Sequence, residues 1–117
     1  MEINKREENG ISILNLRGRL DLANGGILKN EVKNLMGSEH NQLHLNLAEV
    51  DFINSSGLGV LVSIMKEVRL QKGRLTLSNL ASYVQEIFEI TQLSHIFEIF
   101  NSEEEAIQSY QSIVTNS

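Results

Sequence analysis

The chain of 117 residues contains no cysteine and no proline. Without cysteine there is no disulfide framework, no thiolate nucleophile and no cysteine-bound metal. Without proline, the sharp turns have to be made by Gly, Asn, Asp and Ser. No apolar run approaches the roughly 20 residues that a membrane span needs, and the opening sequence MEINKREENG lacks the apolar core of a signal peptide. We therefore expect a cytoplasmic protein with no membrane partner.

Positive charge is also in short supply, with 10 Lys+Arg against 15 Asp+Glu and a formal net charge of -5. An acidic chain repels the phosphate backbone, which disfavours direct nucleic-acid binding and assigns any role in gene regulation to a protein partner. The 41% hydrophobic content is that of a globular protein. Because a chain of this size buries one core and not two, we predict a single domain over residues 1–117.

Short strand-like and helix-like segments alternate along the chain. Strands are predicted at residues 2–6, 11–16, 43–47, 74–78 and 95–99, and the apolar content of the third continues through Val50, Phe52 and Ile53 toward the next turn. Helices are predicted after an N-cap at Asp21, from Gly57 to near Gly73, from a start within residues 79–82, and after a capping box at residues 102–105. The apolar stripe expected to face the core from the first helix is Ile27, Leu28, Val32, Leu35 and Met36. The order β-β-α-β-α-β-α-β-α predicts an α/β sheet with parallel βαβ units and right-handed crossovers.

The segment NSSGLG at residues 54–59 carries the strongest local signal, because it lies where a predicted strand is followed by a predicted helix. In an open α/β sheet, functional groups gather at this end of the strands. A helix N-terminus offers unpaired backbone N–H groups that favour an anion, and glycine permits another backbone to approach closely. The simpler alternative is that Ser55 or Ser56 is only the N-cap, and that Gly57 and Gly59 only allow tight packing.

Motifs typical of enzymes are absent from this segment. It has neither the third glycine of G-x-G-x-x-G, nor the Gly-Lys-Ser/Thr of a P-loop, nor a G-x-S-x-G elbow. A Ser-His-Asp triad would have to combine Ser55 with residues drawn from His40, His44, His95, Asp21 and Asp51. None of these histidines has a recognisable catalytic context, and His44 is expected to be a tolerated sheet residue. Because three scattered histidines also provide no metal-ligand spacing, we predict no catalytic residue, no metal and no cofactor.

Four segments, in their order and spacing, are similar to one known family. They are Gly18-Arg19-Leu20-Asp21, the strand at residues 43–47, the turn at residues 52–59, and the stretch at residues 75–97. Together they resemble the STAS domain of bacterial anti-sigma factor antagonists over nearly the whole chain. The resemblance implies the STAS fold, with a four- or five-stranded mixed sheet and about four helices packed mostly on one side.

The resemblance also implies partner switching in transcription regulation. A GHKL-type serine kinase, which doubles as the anti-sigma factor, uses ATP and Mg²⁺ to phosphorylate the first serine of the turn, which is Ser55 here. The phosphorylated antagonist then releases the kinase, and a serine phosphatase resets the cycle. The partner-binding residues that the resemblance implies are Asp21, Asn54, Ser55, Ser56, Gly57 and Leu58.

Two residues depart from the usual pattern of this family. Asn54 stands where an aspartate usually precedes the phosphorylated serine, and Arg19 stands where an acidic residue is usual. Both replace a negative charge, so we expect partner choice or the rate of phosphorylation to differ. The functional alternative is a STAS scaffold or small-ligand sensor in which Ser55 serves only as a cap.

Overall fold

The computed structural model describes residues 1–37 and 39–115, the last four by backbone alone, so residues 38, 116 and 117 of the predicted domain lie outside it. The strands in these ranges are β1 (Glu2–Glu8), β2 (Ile11–Leu20), β3 (Gln42–Ile53), β4 (Arg74–Ser78) and β5 (Glu98–Phe100). The helices are α1 (Leu22–Leu35), α2 (Ser55–Leu70), α3 (Ser82–Ile90) and α4 (Glu103–Thr115), with a 3₁₀ turn at Leu93–His95. This confirms the predicted order of elements. None of the described helices is both long and apolar enough to cross a bilayer.

The strands form one mixed sheet in the order β1-β2-β3-β4-β5. β1 is antiparallel to β2, and the other neighbouring pairs are parallel. Successive right-handed crossovers in one direction place their helices on the same face, and apolar residues of α1, α2 and α3 share one core with the sheet. α4 follows the last strand and packs on the opposite face. The predicted mixed α/β sheet is therefore confirmed.

A small apolar cluster and a buried polar network hold α4 against the sheet. The cluster consists of Ile11, Ile13, Ile107 and Tyr110. His44 is fully buried beside it, with Nδ1 2.7 Å from Thr76 Oγ1 and Nε2 2.7 Å from Ser78 Oγ. Thr76 Oγ1 lies 3.0 Å from the Tyr110 hydroxyl. Burial lowers the pKa of His44 to about 4, so a residue expected to be merely tolerated in the sheet is a neutral member of a hydrogen-bonded network.

The predicted strand at residues 95–99 is wrong in its first half. His95 ends the 3₁₀ turn, and β5 begins at Glu98. Gln92 adopts a left-handed backbone conformation with φ 63°, which turns the chain sharply after α3. Phe97 then packs edge-on against Phe88, with ring centroids 5.7 Å apart. The apolar spacing that suggested a longer strand therefore reflects one deeply packed aromatic residue after a tight turn.

The predicted apolar stripe of α1 is also partly wrong. Asp21 caps this helix as expected, but Ile27 is 51% exposed. The buried positions are Gly25, Leu28 and Val32. A Cβ at Gly25 would overlap the side chain of Val60, so α1 packs tightly against α2 at this glycine. This close approach turns Ile27 outward.

β3 extends to the turn at residue 54 and contains two β-bulges. Between Asn46 and Glu49, and again between Val50 and Phe52, β3 uses one more residue than β2. Within the described ranges, only residues 42–46 of β3 pair with β4. The second half of β3 is therefore paired on one side, with β2. Bulges bend a strand and re-aim its side chains, and the second bulge leaves Asp51 unpaired just before the turn into α2.

Candidate functional site

The turn between β3 and α2 is capped by Asn54. Its Oδ1 accepts a hydrogen bond from the Gly57 N–H at 2.9 Å, and its backbone is extended. Asparagine is among the most favourable N-cap residues because its short side chain reaches these N–H groups. The alternative in which Ser55 or Ser56 is the N-cap of this helix is therefore wrong, since both serines already belong to its first turn.

Ser55 is exposed at the first position of α2, as expected for a site of modification. Within the described part of the chain its hydroxyl has no hydrogen-bond partner, because Asn54 performs the capping. Ser56 is half-buried. The unpaired N–H groups and the helix dipole favour negative charge at this end of α2, and Ser55 holds the more accessible hydroxyl.

The segment behind the serines is buried against the end of β2. A Cβ at Gly57 would overlap the carbonyl oxygen of Leu20, and the Asn54 N–H donates to the same oxygen with an N···O distance of 3.4 Å. Leu58 is buried in the main core. Gly57 and Leu58 therefore hold the turn in place and are not available as contact surface, whereas Asn54 is half-buried at its margin.

The end of β2 and the residue that follows it bring a cation and a carboxylate to the same edge. Arg19 is paired in register with Phe52, and its guanidinium carbon lies 3.9 Å from the centroid of the Phe52 ring. Arg19 Nε is 3.7 Å from Asp21 Oδ2. Asp21 Oδ1 caps α1 by accepting a hydrogen bond from the Asn24 N–H at 3.0 Å. Asp21 thus lies at the candidate site as expected, with part of its carboxylate committed to the helix cap.

Tyr83, in the first turn of α3, also belongs to this edge. Burial raises the pKa of the Tyr83 hydroxyl, the Asp51 carboxylate raises it further, and Arg19 partly offsets both effects. These influences indicate that the hydroxyl lies within electrostatic reach of both charged groups. Sequence reasoning missed Tyr83 and the stacking of Arg19 on Phe52, because the bulge that displaces Asp51 leaves no mark in the apolar pattern.

The histidines considered for a catalytic triad lie far from Ser55. A strand rises by about 3.3 Å per residue, so the course of β3 from His44 to the turn spans roughly 30 Å. His40 precedes β3 and His95 precedes β5, so both lie toward the edge where the parallel strands begin. The structure brings Asp21, Asp51 and Ser55 to one edge of the sheet without any of the three histidines.

The described residues away from this turn form one small cavity and two larger, open depressions of about 350 and 570 Å³. Among the residues that the structure describes, no group of three or more His, Asp or Glu side chains is arranged to hold a metal ion. A cavity of about 100 Å³ lies near the far end of α2, with Met65, Val68, Arg69 and Phe97 among its lining residues. Small-molecule sites usually occupy about 300–1,000 Å³, so this cavity is too small for a typical cofactor.

Comparison with known proteins decides the family. A family model described as the STAS domain matches residues 2–106. This chain belongs to the STAS domain family. The match runs from β1 into α4 and so includes every residue of the candidate site described above.

Three known proteins illustrate the similarity. The anti-sigma-B factor antagonist of Bacillus subtilis is 33% identical to this STAS chain over 104 residues, which cover 89% of the chain and 94% of the relative. The crystal structure of TM1081 from Thermotoga maritima matches with a TM-score of 0.83 at 25% identity, covering 92% of both chains. The phosphorylated form of SpoIIAA from Bacillus has a TM-score of 0.71 at 21% identity, covering 93% of this chain and 99% of that chain. The last comparison establishes the shared fold.

Proposed function

We propose that this STAS protein is a cytoplasmic anti-sigma factor antagonist whose binding is switched by phosphorylation. The unphosphorylated protein binds a GHKL-type serine kinase that is also the anti-sigma factor. That kinase transfers the γ-phosphoryl group of Mg-ATP to the hydroxyl of Ser55 and then dissociates. A serine phosphatase hydrolyses the phosphoserine and restores binding. The contact region is the turn at residues 54–56 together with Asp21.

The observation that carries this proposal is the division of roles within the turn. Asn54 caps α2, which leaves the exposed hydroxyl of Ser55 without a structural task among the described residues. Modification of Ser55 therefore breaks no hydrogen bond on which the helix depends. The name of the Bacillus subtilis relative supports the antagonist role, and the existence of a phosphorylated SpoIIAA of the same fold supports a phosphoserine switch.

The charge of the phosphate explains why phosphorylation releases the partner. A phosphoserine adds about -1.5 to -2 charges, at the edge of the sheet that also holds Asp21 and Asp51, in a chain of net charge -5. A partner surface that closes over Ser55 would have to desolvate this anion, which is costly without a matched cation. Moving a complex from nearly all bound to nearly all released requires an affinity change of roughly 10⁴-fold, or about 5.5 kcal/mol.

Site mapping and calorimetry test the proposal directly. The protein is incubated with Mg-ATP and each GHKL-type serine kinase encoded in its own genome, and the modified residue is located by mass spectrometry. We expect one phosphate on Ser55, none on Ser55→Ala, and normal modification of the matched control Ser56→Ala. Titration calorimetry should show that the phosphorylated form binds the kinase roughly 10⁴-fold more weakly. Phosphate on Ser56, or equal affinity of both forms, would contradict the assignment.

Two other hypotheses, a STAS scaffold or sensor and an enzyme, predict different results in simple assays. A STAS scaffold or small-ligand sensor would bind its partner equally well before and after treatment with kinase and Mg-ATP. We also propose that the protein is not an enzyme, since the structure separates Ser55 from the histidines. Purified protein should show no esterase or nucleotidase activity, and turnover abolished by Ser55→Ala would overturn this part of the proposal.

A further inference from the structure

We infer that Arg19 selects the partner of this protein by pairing with a carboxylate on the contact surface of the anti-sigma factor. The inference rests on the proposed function and specifies the chemistry of the surface that binds there. Arg19 is a positively charged residue close to Asp21 in a chain whose net charge is -5.

Arg19 is next to the backbone group that anchors the phosphorylation turn. The carbonyl oxygen of Leu20 accepts the Asn54 N–H and occupies the space where a Cβ of Gly57 would lie. Because Leu20 is fixed at this contact, the neighbouring Arg19 keeps a constant position relative to the helix that begins at Ser55. A partner that covers Ser55 therefore also meets the Arg19 guanidinium.

The guanidinium is held in place by Phe52 and by a long ion pair with Asp21 that involves only its Nε. It stacks on Phe52 at 3.9 Å, which restricts its orientation. Its Nε is 3.7 Å from Asp21 Oδ2, longer than a hydrogen bond, while Asp21 Oδ1 is engaged in capping α1. The Arg19 side chain remains 58% exposed. Its donors are thus oriented in advance and still available to a partner.

A carboxylate is the group that best matches this arrangement in a protein partner. Arginine stays charged at any physiological pH, and its planar fork of donors pairs with both oxygens of a carboxylate. Covering it without a counter-charge would leave a desolvated cation, which is strongly unfavourable. Arginine is also one of the residue types enriched among the few residues that dominate interface affinity. We therefore assign an aspartate or glutamate of the partner to the position facing Arg19.

The test measures, by titration calorimetry, how tightly charge variants bind the GHKL-type serine kinases encoded in the same genome. Arg19→Glu should weaken binding by about 100-fold, and Arg19→Gln by about 10-fold. The matched control is Arg17→Glu on the same strand, where Arg17 is 66% exposed and pairs with Glu49 at 3.4 Å. This control should stay within about 3-fold of wild type. A Glu→Arg or Asp→Arg change at the facing position of the kinase should restore binding of Arg19→Glu.

The outcomes separate this inference from the proposed function. If the wild-type protein binds none of the kinases, the proposed function fails and the inference fails with it. If the wild type binds and Arg19→Glu behaves like Arg17→Glu, the inference alone is wrong. Thermal unfolding verifies that each variant is folded, and Arg19→Gln, which introduces no repulsive charge, decides the question if Arg19→Glu does not fold.

Discussion

At the scale of single residues, Asn54 stabilises the turn by capping α2, whereas the proposed modification takes place on Ser55. Replacing it by alanine removes the acceptor for the Gly57 N–H, so Asn54→Ala should lower the free energy of unfolding by about 1 kcal/mol. Asn54→Asp keeps the acceptor and adds negative charge at the positive end of α2, which is worth about 0.3–1 kcal/mol of stability. Urea denaturation followed by circular dichroism measures both changes.

Asn30→Ala provides the control for Asn54→Ala. Asn30 is exposed in α1 and has no capping role. There the same substitution should raise the free energy of unfolding by a few tenths of a kcal/mol, roughly the difference in helix propensity. If both alanine variants change stability in the same direction, the capping role assigned to Asn54 is incorrect.

At the scale of elements, the packing of α2 on β2 depends on one glycine. A Cβ at Gly57 would overlap the backbone carbonyl of Leu20, whereas a Cβ at the exposed Gly59 meets no heavy atom within 4 Å. Gly57→Ala should therefore cost roughly 1–3 kcal/mol through overpacking. Gly59→Ala should stabilise the helix by up to about 1 kcal/mol. Stabilisation by both substitutions in denaturant titrations would show that α2 is free to move away from β2.

At the scale of the whole molecule, His44 makes stability depend on pH. Its folded-state pKa of about 4 lies below the ordinary value of 6.5, so the unfolded chain binds this proton first as the pH falls. The contribution to stability is complete above pH 6.5 and is lost progressively toward pH 4. The full loss corresponds to about 3 kcal/mol.

Unfolding free energies measured between pH 7 and pH 4.5 test this dependence. His44→Gln removes the titrating group and should flatten the curve relative to wild type. His40→Gln changes an exposed histidine outside the network and should leave the slope as it is in wild type. Equal slopes for wild type and His44→Gln would mean that His44 does not control acid stability.

Periodicity was sufficient to predict most elements of this fold, because each strand and helix buries one face. It failed at Ile27 and at residues 95–99, where tertiary contacts decide the outcome. The close approach of Gly25 to Val60 determines which side of α1 is buried, and no pattern within α1 contains that information. The left-handed Gln92 likewise ends α3 without glycine or proline to announce the turn.

The candidate site, too, could be predicted from the sequence only in part. The sequence NSSGLG predicts an accessible serine at a helix start, since the residue types in the turn have local preferences. It did not predict that Asn54 would take the cap, because asparagine and serine are nearly equivalent there. The surroundings of Ser55, with Arg19 on Phe52 and Tyr83 near Asp51, depend on strand register and bulges. These are non-local properties that a single sequence does not display.

The separation between the anchored turn and the exposed edge has a consequence for how such proteins diverge. Gly57, Asn54 and the carbonyl of Leu20 maintain the geometry, while Arg19 and Tyr83 lie outside that framework. Surface substitutions of this kind usually change folding stability by less than about 0.5 kcal/mol. After gene duplication, a copy can therefore exchange its surface charges and acquire a new partner without first acquiring a compensating mutation in its core. Several paralogues can then operate in one cell with little crosstalk.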